Sequence, residues 1–234
     1  MANEKILALI PARSGSKRLK NKNTLDICGK PLIAWSIEAA TGSRYIDEIV
    51  VSSDGSEILE LANKFGAKTI LRPSTLASDT STTVDVVKHI IEHYKKDGYE
   101  YILVLQPTSP LRESIDIDNA IELLKEKKAD AIVSVCKTPH SPLWMNTIPL
   151  DLSMNDFIKN EVKNKRSQEL DTYYMLNGAI YLFEIDRFMQ EETLFFKDNI
   201  FAYIMDTDKS IDIDTLTDFK IANLFLEERE KKNI

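Results

Sequence analysis

The feature that most constrains this chain is the alternation of short apolar runs with stretches of helical period. Ile6–Ile10, Glu48–Ser52, Thr69–Leu71, Tyr101–Leu105 and Ala131–Val135 are each of strand length. Between them lie helical patterns that open at Pro31, run from about Ser56 to Phe65, and recur at Thr82–Lys96 and Ile115–Lys127. In the third of these, Val84, Val87, Ile91 and Tyr94 share one face. Pro31 suits a first helical turn, and Gly66 suits a helix end. Strands that alternate with such helices pair in parallel, because each helix carries the chain back across the sheet. The expected class is therefore α/β, with a doubly wound, mainly parallel sheet.

The alternation breaks between Thr138 and Tyr174. Pro139, Pro142 and Pro149 cluster there, ahead of the mixed polar stretch Met154–Gln168. This segment reads as an excursion from the main sheet, a small inserted lobe or dimerisation arm on a single domain spanning 1–234. Asn177–Phe183 and Ile200–Met205 return to strand character. A closing helix from about Thr215 turns Leu216, Phe219, Ala222 and Leu226 toward the core.

Composition removes several function classes. A formal charge of -7 argues against a general nucleic-acid binder, which would carry a basic surface. Cys28 and Cys136 are too few for a disulfide framework and show no C-x-x-C spacing, so they read as reduced thiols. No signal-peptide pattern opens the chain and no apolar run approaches membrane-spanning length, so a cytoplasmic location is expected.

Ligands of doubly wound sheets bind beyond the carboxyl ends of the strands, and three polar segments fall there. The first runs from Ala12 through Arg13, Ser14, Gly15, Ser16, Lys17, Arg18 and Lys20 to Lys22 and Asn23. It holds five basic residues and no acidic one inside an acidic protein. Small residues let backbone N–H groups approach an anion, and the cations supply charge, so the loop reads as a phosphate site. It fits neither G-x-G-x-x-G nor G-x-x-x-x-G-K-[ST], which argues against Rossmann dinucleotide and P-loop readings. The second segment, Gln106–Arg112, has two prolines that stiffen it and leave Gln106, Thr108, Ser109 and Arg112 to project. The third, Ile211–Thr215, places the Asp212 and Asp214 carboxylates on one face of an extended stretch. Such a pair beside a phosphate loop is suited to Mg²⁺, with Mn²⁺ as a substitute. Asp214 could also cap the last helix. A match of His89–His93 to H-x-x-E-H is discounted, because the helix buries Val87, Ile91 and Tyr94.

Taken together and in order, Ile10-Pro-Ala-Arg-Ser-Gly-Ser-Lys17, Lys22-Asn23, Leu105-Gln-Pro-Thr-Ser-Pro-Leu-Arg112, Asn177-Gly-Ala-Ile-Tyr181 and Asp212-Ile-Asp214 resemble the acylneuraminate cytidylyltransferases. These include the CMP-sialic acid synthetases and bacterial relatives acting on legionaminic and pseudaminic acids. The resemblance covers essentially the whole chain. It implies a Rossmann-like nucleotidyltransferase core, a homodimer, CTP as donor, an acidic nine-carbon sugar as acceptor, and Mg²⁺. By the same resemblance Arg13, Lys17 and Lys22 would contact phosphates and Asn23 would position the nucleotide. Ala77, Asp79 and Ser81 would border cytosine and ribose. Gln106, Thr108, Ser109, Arg112, Gln168 and Asn177 would lie toward the sugar, and Asp212 and Asp214 would hold the metal. Two departures stand out. Ser14 occupies a position where the family commonly has glycine, and Met175-Leu176 precede Asn177 where a basic residue is common. The runner-up is a cytidylyltransferase for 3-deoxy-manno-octulosonate, and a non-catalytic nucleotide-binding relative is a third reading.

Overall fold

The computed structural model describes residues 4–16, 18–78 and 80–232. Its first half follows the expected rhythm. β1 (Ile6–Pro11) leads through a short hairpin, β2 (Asp26–Ile27) and β3 (Lys30–Pro31), into α1 (Leu32–Thr41). Then come β4 (Glu48–Ser53), α2 (Ser56–Lys64), β5 (Lys68–Leu71), α3 (Thr83–Tyr94), β6 (Tyr101–Val104), α4 (Ser114–Lys127) and β7 (Ala131–Lys137). The chain closes with β8 (Tyr174–Glu184), α5 (Ile185–Glu191), β9 (Ile200–Met205) and α6 (Leu216–Lys232). Pro31 sits one residue ahead of its expected helix, paired with Asp26 in the hairpin.

The main sheet has the order β5-β4-β1-β6-β8-β7-β9. All neighbours pair in parallel except β8, which is antiparallel to both β6 and β7. The sheet is therefore mainly parallel with one reversed strand inside it. That reversal has a consequence for function. Val104, the last residue of β6, pairs with Tyr181, so the first half of β8 extends beyond the carboxyl end of β6.

Alternation along the strands sorts the core into two layers. Ile6, Ala8 and Ile10 face α1, α2 and α4 through Ile37, Ala62 and Ile121. Leu7 and Leu9 face α3 and α5 through Val87, Ile90 and Phe188. This is the period-two geometry of a strand covered on both sides, and it makes the sheet doubly wound. A third cluster, including Ile27, Trp35, Ile213, Ala222 and Leu226, fastens α6 over the hairpin. Gly66 ends α2 with φ +89, a conformation open to glycine at little cost.

The 138–173 stretch forms short 3-10 turns at Pro142–Trp144 and Ser167–Glu169 and otherwise lacks regular structure. Met145, Ile148, Leu150, Leu152 and Met154 are exposed along it. No helix among the described residues is long and apolar enough to cross a membrane.

Phe183 is fully buried and its ring lies 5.4 Å from both Phe188 and Phe196. Phe183→Ala should cost about 3–5 kcal/mol in urea denaturation, as for other large core truncations. Phe201→Ala, on the edge strand β9, should cost under about 1 kcal/mol.

Candidate active site

The carboxyl ends of β1, β5 and β6 open into a cleft of about 590 Å³. Arg13, Ser16, Arg18, Lys22 and Asn23 line it from the loop after β1, and Gln106 and Thr108 from the loop after β6. Ser81 closes one side, and Asp212 and Asp214 close the other. Segments separated by almost two hundred residues thus meet in one space.

The basic loop and the acidic strand touch directly. The Lys22 ammonium donates to the Ile213 carbonyl at 2.6 Å and to Asp214 Oδ1 at 3.2 Å. Arg18 Nη1 donates to Asp214 Oδ2 at 2.6 Å. Asn23 is buried and its Nδ2 donates to the Arg13 carbonyl at 3.0 Å, while its Oδ1 has no protein partner. Ile213 N–H donates to the Thr108 carbonyl at 2.8 Å, which joins the acidic strand to the second loop. Desolvation, with the Asp214 charge behind it, pushes the Asp212 carboxyl above the ordinary carboxylate range. A hydrogen bond from Thr108 and the Lys22 ammonium offset part of that push.

Asp214 does not cap α6. Thr215 and Asp218 do, with Thr215 N donating to Asp218 Oδ2 at 2.7 Å and Asp218 N to Thr215 Oγ1 at 3.3 Å. Both carboxylates of the Asp212/Asp214 pair are left to the cleft. Asp212 forms no ion pair with another described residue. Asp214 is held by Lys22 and by Arg18, whose side chain is 71% exposed and whose pairing is correspondingly weak. Two carboxylates facing a phosphate-sized space fit Mg²⁺, which takes one or two of them and completes its shell with substrate oxygens and water. No group of three or more His, Cys, Asp or Glu residues arranged for a metal occurs among the described residues, the His89–His93 helix included.

Several expected site residues lie elsewhere. Ala12 is buried, and its N–H extends the β1–β4 pairing by donating to Ser52 O at 3.0 Å. Ser14 faces away from the cleft, toward α2, and Gly15 is exposed beside it. The amides of Ser14 and Ser16 are committed within the protein, to Asp54 and to Ser14 O, so they offer no ready cradle for an anion. Ala77 does not line the cleft, although its neighbours Leu76 and Ser78 do. Lys17 and Asp79 lie outside the described residues.

The expected sugar contacts divide in the same way. Gln106 and Thr108 reach the cleft. Ser109 is buried with its hydroxyl unpartnered, and Gln168 is exposed in the 138–173 stretch. Arg112 is 1% exposed and donates to the Ala179 carbonyl (2.9 Å), the Gln106 carbonyl (3.3 Å) and Ser36 Oγ (2.7 Å). Burial lowers its pKa to about 10. Instead of projecting, it ties the second loop to α1 and β8. Asn177 is also interior: its Nδ2 donates to Ser210 Oγ at 2.9 Å, and its Oδ1 accepts from Ser134 Oγ at 2.6 Å. These bonds accompany a bulge between Val133 and Val135. The next residue, Gly178, takes φ +73 and does line the cleft.

Sequence reasoning missed Arg72, Thr82, Thr83, Val86, Gly178 and Tyr181, all of which line the cleft. Arg72 is 6% exposed and donates to Ser52 O at 2.7 Å. It directly follows β5, so its position at a strand's carboxyl end was the available signal. Tyr181 has its hydroxyl pKa raised by burial and by Asp212.

Residues 7–233 match the family described as Cytidylyltransferase. The chain belongs to the cytidylyltransferase family. An N-acylneuraminate cytidylyltransferase of Escherichia coli O18:K1:H7 is 34% identical over 98% of this chain and 54% of its own length. A CMP-N,N'-diacetyllegionaminic acid synthase of Legionella pneumophila is 35% identical over 95% of this chain and 97% of its own. A pseudaminic acid cytidylyltransferase of Campylobacter jejuni is 33% identical over 94% of this chain and 95% of its own. The chain thus spans about half of the E. coli relative and nearly all of the other two. Among solved structures, a CMP:2-keto-3-deoxy-manno-octonic acid synthetase complexed with CTP shares the fold, with a TM-score of 0.73 at 19% identity. That likeness covers 97% of this chain and 100% of the other.

Arg112→Lys tests the interior placement, since an ammonium cannot reach three acceptors set for a planar guanidinium. We expect a loss of about 3 kcal/mol of stability by denaturant titration. A variant of unchanged stability would return Arg112 to the cleft.

Proposed function

We propose that this cytidylyltransferase moves CMP from CTP to the anomeric hydroxyl of a nine-carbon 2-keto-3-deoxy acidic sugar, releasing pyrophosphate. The observation that carries the reading is the meeting of a basic loop and the Asp212/Asp214 pair across one cleft, in a chain whose named relatives handle sialic, legionaminic and pseudaminic acids.

Each group has a role that follows from its charge and place. Arg13, Lys22 and Arg18 surround the space for the triphosphate and stabilise charge that grows on departing pyrophosphate. Lys17, in the same basic segment, adds to that field. Asn23, with its unpartnered Oδ1, accepts a hydrogen bond from a nucleotide hydroxyl. Ser81 and the first turn of α3 border the nucleoside. Gln106 and Thr108 face the acceptor sugar. Asp212 and Asp214 hold Mg²⁺, which when bound polarises the phosphate and offsets its charge. The sugar oxygen forms its new bond to the α-phosphorus as the bond to the β-phosphate oxygen breaks. The proton of the attacking hydroxyl passes to water in the open cleft.

Further readings follow for assembly and location. The exposed apolar side chains of the 138–173 stretch, with Tyr174, Met175 and Leu176 beside them, would be covered in a homodimer. CTP supply places the reaction in the cytoplasm. Sedimentation equilibrium should give twice the monomer mass, and Leu150→Asp with Leu152→Asp should return a monomer.

Pyrophosphate release tests the reaction, with CTP, Mg²⁺ and N-acetylneuraminic, legionaminic, pseudaminic or 3-deoxy-manno-octulosonic acid supplied separately. Turnover should be strong with one nine-carbon acid. Turnover with the eight-carbon acid alone would move the enzyme to the neighbouring branch. Asp212→Asn should lower kcat by about 10²-fold or more while leaving the thermal midpoint unchanged, in line with loss of a metal-holding carboxylate. Near-normal turnover in that variant would sink the metal assignment.

A further inference from the structure

The basic loop is held from behind by a carboxylate that no motif marks. Asp54 follows β4 and precedes α2. Its Oδ1 accepts from the Ser14 amide at 2.8 Å and its Oδ2 from the Ser14 hydroxyl at 2.6 Å. One residue therefore occupies both oxygens. The approach is close: a Cβ placed on Gly55 would lie 3.1 Å from the Ser14 Cβ, so a larger residue would press on Ser14. Burial alone would raise the Asp54 pKa, yet the two hydrogen bonds from Ser14, one from the backbone at Asp54 and the Arg72 charge together hold the carboxyl below its usual value. Asp54 is thus an ionised acceptor, and hydrogen bonds to ionised acceptors are the stronger kind.

The direction of the grip matters. Ser14 lines a smaller adjoining cavity of about 220 Å³ together with Ser56 of α2, whereas Ser16 opens onto the main cleft. Arg13 borders both spaces, and its carbonyl is held separately by Asn23. With Ser14 anchored toward α2, its neighbours are set toward the triphosphate space. Glycine at this position would keep the amide bond to Asp54 and lose the hydroxyl bond, so Ser14 gives this chain a second attachment.

We propose that Asp54 is a positioning residue for nucleotide binding, clamping Ser14 at two points so that the basic loop is fixed in its binding conformation before the triphosphate arrives. The inference rests on the cytidylyltransferase reading of the cleft. Its physical basis is preorganisation: a loop already ordered loses less freedom when ligand binds. A carboxylate this near a polyanion site would otherwise repel it. Here the two Ser14 donors and the nearby Arg72 guanidinium offset its charge.

The test is calorimetric titration of CTP with Mg²⁺ into wild type, Asp54→Ala, Asp54→Asn, Ser14→Gly and the Asp54→Ala/Ser14→Gly double variant. Steady-state kinetics on the same proteins complete it. Asp54→Ala should weaken CTP binding roughly tenfold and Ser14→Gly roughly threefold, the scale of one or two strong contacts. The kcat at saturating CTP and the KM for the sugar should stay at wild-type values. In the double variant Ser14→Gly should add nothing, because the hydroxyl has already lost its partner. Asp54→Asn, which can accept from the amide and donate to the hydroxyl, should recover most of the affinity. Should Asp54→Ala fail to fold, Ser14→Gly and Asp54→Asn carry the same comparison. Unchanged CTP affinity in Asp54→Ala overturns the clamp, as do effects that multiply in the double variant or that fall on kcat. If wild type itself does not bind CTP, the reading of the cleft fails and the clamp with it.

Discussion

The contact on which the rest of the site depends is the Lys22 ammonium against the Ile213 carbonyl and the Asp214 carboxylate. It joins a basic loop to an acidic strand 191 residues further along the chain. The Lys22 side chain is only 15% exposed, so its charge is less screened than that of a surface lysine. Without it, the basic loop would be left to meet the acidic strand through the exposed Arg18–Asp214 pair. With it, the cleft is a balanced field. Arg13 lines the cleft beside Lys22 and Asp214, and Asp212 forms no ion pair with another described residue.

The sheet makes that balance possible. Parallel β1, β4 and β6 end on one edge, and the loops they release converge there. The reversed strand β8 completes the wall by running past the end of β6 and presenting Gly178 and Tyr181. Buried polar groups then lock the loops in place. Arg112 binds the second loop to α1 and β8, Asn177 holds Ser210 ahead of the acidic pair, and Asp54 holds Ser14 behind the basic loop. A buried guanidinium is costly; Arg112 makes no ion pair with a described residue, and carbonyls, a hydroxyl and the field of Asp116 offset that cost. The rigidity of the loops follows from these internal bonds.

Much of the fold was legible because hydrophobic period survives in a single sequence. The sequence pattern matches the observed bounds of β9, Ile200–Met205, and those of β1, β4, β5, β6, β7 and α1 to α4 within a residue or two. The direction of β8 was not legible: alternation of apolar residues is the same whichever way a strand runs. Nor were the two-residue strands of the hairpin or the seven-residue α5, which are too short to show a period. At the site, residue type and position at strand ends brought Arg13, Lys22, Gln106, Asp212 and Asp214 to one cleft. Arg112 was expected to project because polar loop residues usually do, and Asn177 was placed toward the sugar by the family resemblance. Their burial depends on the Ala179 carbonyl and Ser210, partners distant in sequence that no local pattern announces. Asp54 was invisible for the same reason.

The central claim is that this cleft transfers a cytidylyl group, so the most direct measurement follows the phosphorus. Parallel reactions with α-labelled and γ-labelled [³²P]CTP, Mg²⁺ and the acid sugar that supports turnover would show where each phosphate goes. The account predicts α-label in the sugar product and γ-label in free pyrophosphate. Label from the γ-position in the sugar, or α-label confined to free CMP, would contradict it.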